Sequence, residues 1–163
     1  MTVTDELLVN AEAHAASFDK GALAMPPAKQ IAVVACMDAR LDPNRLLGLA
    51  EGDAHVIRNA GGVVTQDALR SLAISQRLLG TREVVLLHHT DCGMLTFSDQ
   101  EFRDQIAAET GVRPSWAAEA FTDLDADVRQ SMARIHAEPS IPVKDAVRGF
   151  VYSVEDGTLR EVV

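Results

Sequence analysis

The chain has only two cysteines, Cys36 and Cys92, too few for the disulfide framework of a small secreted scaffold. It also lacks a basic tract to offset a formal net charge of −9. Phosphate backbones repel such a surface, which argues against nucleic acid as a partner. Anionic lipid gains nothing from it either. No apolar run approaches the ~20 residues of a membrane span. The opening residues MTVTDELLVNAEAH have neither a basic n-region nor an apolar h-region, so no secretory signal is expected and the compartment is read as cytoplasmic. There the two cysteines point to metal or redox work, and the CxxC spacing of redox pairs is absent. Aromatic residues make up only 4% of the chain; the single Trp116 and Tyr152 read as packing residues.

What is present describes an ordinary globular chain, 47% hydrophobic and 24% charged, most simply one domain over 1–163. QIAVVAC (30–36) and EVVLLHH (83–89) are continuous apolar runs, the mark of strands buried on both faces of a parallel sheet. AHVIR (54–58) is a shorter strand. GFVYSV (149–154) and TLREVV (158–163) flank Asp156-Gly157, which predicts a hairpin turn. Between them lie helical patterns. Residues 65–80 start at Thr65 as N-cap, repeat Leu69, Leu72, Ala73 and Leu79 at helical spacing, and stop at Gly80. Residues 122–138 put Leu124, Val128, Met132 and Ile135 on one stripe. Further helices are expected over 5–18 and 99–110. The fold class is therefore α/β: a mostly parallel central sheet of about four strands plus a C-terminal antiparallel strand, flanked by helices.

In such sheets ligands gather at the carboxyl ends of the strands. The first strand ends in Cys36-Met37-Asp38-Ala39-Arg40, the second in Arg58-Asn59-Ala60-Gly61-Gly62, the third in His88-His89 followed by Cys92. Side by side, these ends bring together Cys36, His89 and Cys92. Two thiolates and an imidazole suit zinc better than calcium or magnesium, and three protein ligands leave a fourth position for water or substrate. Cys92 falls where a helix or tight turn begins, whose free N–H groups favour its thiolate.

Asp38 stands two residues past one ligand, and Arg40 can hold it ionised through a bidentate contact. Asp38 can then accept a hydrogen bond from a metal-bound water or reach the metal itself. The glycine-rich loop beside them makes Asn59, Ala60 and Gly61, together with Gly93, candidate contacts for a small substrate. His88 reads as a strand residue facing the layer opposite His89. His14, His55 and His136 have no partner visible in the sequence.

With Cys36-x-Asp38-x-Arg40, His89-x-x-Cys92 and RNAGG between them, the chain resembles the β-class carbonic anhydrases. CMDARLD, HVIRNAGG and HHTDCGMLTF look like their short actinobacterial-type branch. The resemblance implies one Zn2+ per chain on Cys36, His89 and Cys92. It further implies an Asp38–Arg40 catalytic dyad and reversible hydration of carbon dioxide to bicarbonate by a zinc-bound hydroxide. It also implies a closed state in which Asp38 is the fourth ligand, and a homodimer or tetramer whose N-terminal helical arm (1–20) packs on the partner subunit. Carbonyl sulfide or carbon disulfide hydrolysis on the same site is the alternative; a closed zinc protein binding bicarbonate in a regulatory role is a second. Gln30 lies too near Cys36 to take the part of the glutamine that contacts substrate in plant-type members, and the scarcity of aromatics predicts a pocket without their aromatic wall.

Overall fold

The uninterrupted apolar runs form the middle of one sheet because strands covered by helices on both faces have no solvent side to leave polar. The computed structural model describes residues 2–163. Its strands are β1 (Ile31–Cys36), β2 (Ala54–Asn59), β3 (Glu83–His89), β4 (Val147–Tyr152) and β5 (Leu159–Val162). Their order is β2-β1-β3-β4-β5. The first four run parallel and β5 is antiparallel to β4, as the sequence predicts. The register sets Cys36 opposite Asn59 and Ala35 opposite Leu87, so the carboxyl ends of β2, β1 and β3 lie abreast.

The helices are α1 (Val3–Ala16), α2 (Pro43–Leu47), α3 (Gln66–Leu79), α4 (Asp99–Thr110) and α5 (Leu124–Ala137). Thr65 caps α3 by accepting from the Ala68 amide, and Gly80 ends it in the left-handed conformation. One sheet face, with Ala32, Val34, Val84 and Leu86, packs on Leu69 and Leu72 of α3 and Ile135 of α5. The other face buries Val33, Ala35 and Leu87 against Leu41, Val63 and Met94.

Three details differ from the sequence reading. The connection from β4 to β5 spans residues 153–158 rather than a two-residue turn, with Gly157 at φ 77° and the Ser153 amide donating to the Thr158 carbonyl. The short α2, capped by Asp42, carries too few residues to show a periodicity. On α3 the buried face includes Ser75 and Gln76, which an apolar stripe does not reveal. Ser75 sits 2.7 Å from both His55 Nδ1 and Thr81 Oγ1, and Gln76 pairs with both backbone groups of Val143.

Helix α5 lies so close to β4 that a Cβ at Gly149 would overlap Val128 Cγ1. Replacing Gly149 by Ala is expected to destabilise the protein by about 1–3 kcal/mol through overpacking. Denaturant unfolding checks this; an unchanged midpoint would show that α5 can shift without cost.

Candidate metal centre

Cys36 is the last residue of β1, and its backbone is met at close range by Gly62. A Cβ at Gly62 would come 2.8 Å from the Cys36 nitrogen and 2.9 Å from the Leu87 carbonyl oxygen, and its φ of +71° suits glycine. His89 ends β3. Its Nδ1 lies 2.7 Å from the Thr90 carbonyl, which can only accept, so the proton sits on Nδ1 and Nε2 presents its lone pair. That Nε2 is buried without a protein partner. Asp91 then turns the chain with φ 52°, and Cys92 follows at the start of a single 3-10 turn over Gly93–Leu95.

The donor atoms of Cys36, His89 and Cys92 lie within 4.8 Å of one another, and all three residues are buried. The two sulfurs are 4.0 Å apart, close to the about 3.8 Å that two 2.3 Å zinc–sulfur bonds at a tetrahedral angle would set. The donor set and the orphaned imidazole nitrogen fit zinc. Charge is unevenly divided between the thiols. Hydrogen bonding from Cys92 lowers Cys36 to about 4 against the opposing effect of burial, with His89 helping. The same contact pushes Cys92 up, although the Met94 amide acts in the other direction. The expected turn amide is present, but the neighbouring Cys36 outweighs it. For His89, burial disfavours the charged ring, yet the contacts with Cys36 and the Thr90 carbonyl raise it overall.

Asp38 and Arg40 stand beside this cluster. Arg40 Nε and Nη2 donate to the two carboxylate oxygens of Asp38 at 3.0 and 2.9 Å, and the Arg40 amide donates at 2.8 Å. These bonds hold Asp38 far below the usual carboxylate range. Its Oδ2 is 3.7 Å from His89 Nε2. The loop carrying the pair is fastened by Arg58, whose guanidinium lies within hydrogen-bond distance of the carbonyls of Cys36, Asp38 and Leu41. Only the RNAGG stretch as a whole stands out in the sequence; nothing there identifies Arg58 as a brace.

Ala60, Gly61 and Gly93, with Met94 and Phe97, line a cavity of about 320 Å³ over Cys36, Asp38 and Cys92. Asn59 is absent from that lining: its amide donates to the Val63 carbonyl at 2.8 Å and its Oδ1 is buried without a partner. Next to this cavity runs a cleft of about 530 Å³ walled by Phe97, Phe102 and Trp116. The few aromatics are thus concentrated near the site, and Trp116 is half exposed there rather than packed in the core. His88 faces the opposite layer, its Nε2 at 2.7 Å from Asp127 on α5. His14 and His136 lie away from the cluster.

A family model described as carbonic anhydrase matches residues 31–139. The chain is 60% identical over 162 residues to β-carbonic anhydrase 1 of Mycobacterium tuberculosis, covering 99% of both. It is 32% identical to a carbon disulfide hydrolase of an Acidianus strain, covering 84% of this chain and 79% of that one. A carbonic anhydrase structure from Streptococcus mutans superposes with a TM-score of 0.93 at 41% identity, covering 100% of this chain and 99% of the other.

Zinc uptake by the metal-free protein must expel the protons on Cys92 and on any charged His89, so apparent affinity is expected to rise with pH. Calorimetry in buffers of different ionisation enthalpy checks it; a pH-independent affinity would mean that the donors are already deprotonated. Arg58→Ala, which frees the loop carbonyls, is expected to weaken zinc binding by about 10- to 100-fold. Competition against a chelator measures that loss, and unaltered affinity would remove Arg58 as a support.

Proposed function

The chain belongs to the β-class carbonic anhydrases, and on that premise we propose that it hydrates carbon dioxide reversibly to bicarbonate with one zinc ion per chain on Cys36, His89 and Cys92. The observation that carries this reading is the unpartnered, buried His89 Nε2 beside two sulfurs, with an arginine-held carboxylate 3.7 Å away. Zinc supplies acidity to a bound water, less under two thiolates than under three imidazoles because the ion's charge is largely neutralised.

The rest is the work of the chain. Asp38, kept ionised by Arg40, accepts a hydrogen bond from the nucleophile and turns its lone pair toward the substrate carbon. Ala60, Met94 and Phe97 offer a small, mostly apolar space suited to a neutral linear molecule, with Gly61 and Gly93 giving close backbone approach. Asn59 braces the loop from which Ala60 and Gly61 project. The short distance from Asp38 to His89 also allows Asp38 to take the fourth position and close the site. The thiolate ligands suit a reducing compartment such as the cytoplasm.

The minimal unit of this reading is a homodimer, or a tetramer built from it. Helix α1 buries none of its residues on its own chain and exposes Val3, Leu7, Leu8 and Val9. It supports a domain over 1–163 whose arm, residues 1–20, packs on a partner subunit; Met1 lies outside the described residues. Among the described residues no helix is long and apolar enough to cross a membrane.

A second reading, hydrolysis of carbonyl sulfide or carbon disulfide at the same centre, is favoured by the likeness to a carbon disulfide hydrolase. Carbon dioxide hydration and sulfide release timed on one zinc-loaded preparation separate the two. Fast hydration with negligible sulfide is expected; the reverse would replace the substrate while keeping the site.

The folded pKa of Asp38 lies below its unfolded value of about 3.9. Its stabilising share is therefore present above that pH and is lost as pH falls through the folded value. Across the roughly neutral to alkaline range where zinc-bound water titrates, Asp38 adds no break of its own. Activity should therefore grow toward alkaline pH. Asp38→Asn should cut turnover about a hundredfold with zinc retained. Undiminished turnover in this variant would remove Asp38 from the mechanism.

A further inference from the structure

Arg40 holds more than Asp38. Its Nη1 donates to Asp91 Oδ2 at 2.8 Å and its Nη2 to the Asp91 carbonyl at 3.0 Å. The arginine is about half exposed, so without these contacts its long stem would leave the guanidinium free to move and take its grip on Asp38 with it. Asp91 lies between the candidate ligands His89 and Cys92, and its left-handed backbone serves both tasks at once. It turns the chain so that Cys92 reaches the cluster, and it carries a carboxylate and a carbonyl out to Arg40.

We propose that Asp91 is a positioning residue of the metal site, anchoring Arg40 so that Arg40 retains Asp38 and the fourth position at the metal stays open to water and substrate. The inference deepens the carbonic anhydrase reading and rests on it. Two attractions compete for the Asp38 carboxylate. One is the Arg40 fork, and the other is a cation facing His89 Nε2, which Asp38 Oδ2 approaches to 3.7 Å. Asp91 strengthens the first without touching the second. Loss of the Asp91 side chain tips the balance toward Asp38 as a ligand and closes the site.

The test uses the full chain loaded with cobalt(II), whose visible absorption reports thiocyanate entering the fourth position. Asp91→Gly keeps the left-handed turn and the backbone carbonyl, and Asp91→Asn keeps a side-chain acceptor. Thiocyanate affinity is expected to fall about three- to fivefold in Asp91→Gly, the scale an exposed ion pair supplies, and to fall less in Asp91→Asn. Removing a negative charge would by itself strengthen anion binding, so the expected loss has the opposite sign to a field effect. In an Asp38→Ala background, Asp91→Gly should cause no loss, because no carboxylate remains to compete.

Wild-type affinity in Asp91→Gly, or an equal loss with and without Asp38, would overturn the role given to Asp91. If that happens while the zinc-loaded wild type hydrates carbon dioxide, only this role falls. If the wild type binds neither cobalt nor zinc, the reading beneath it falls as well.

Discussion

The parallel pairing of β1 between β2 and β3 is the constraint on which the candidate site depends. Parallel strands cannot be joined by a tight hairpin, so each strand ends at the same edge and sends its chain away over a face. Three ends therefore meet where three independent loops begin. The residue-by-residue register from Ile31 to Cys36 against β2, and from Ile31 to Ala35 against β3, fixes how far each donor protrudes. A slip of one residue would send Cys36 to the opposite face and separate the sulfurs.

That edge is unusually crowded with backbone. Gly62 approaches the Cys36 nitrogen and the Leu87 carbonyl with no room for a side chain, and Arg58 gathers three carbonyls of the next loop. The donors are thus held by main-chain contacts before any ion arrives. Such preorganisation has a cost without an ion, because two buried sulfurs lie 4.0 Å apart and a buried imidazole nitrogen goes unpartnered. A site that leaves this tension in place gains affinity for whatever relieves it.

Much of this was legible in the sequence, for physical reasons. Strands buried on both faces leave continuous apolar runs, so β1 and β3 and their parallel pairing could be read directly. The residues Cys36, His89 and Cys92 stood at strand ends, where a single topological rule brought them together. Polar partnerships formed after folding were not legible. Ser75 and Gln76 look like the outer face of α3, yet both are buried because His55, Thr81 and Val143 receive them. Asp91 carries no signal of its own in the sequence, because its partner, Arg40, is 51 positions away. Trp116 reads in the sequence as a packing residue, but its loop presents it half exposed to the cleft. Periodicity reports which face is dry; it carries no record of which polar group meets which.

Helix α1 has a consequence of another kind. It is capped at both ends by its own residues, Thr2 with Asp5 and Ser17 with the carbonyls of His14 and Ala15, yet it buries nothing. A helix of 14 residues is marginal by itself in water, and the proposed partner subunit offers the surface it lacks. With a second copy as that surface, the ordered arm becomes a matter of mass action. Dilution alone, with no change of temperature or solvent, would then melt one end of the protein while the sheet stayed intact.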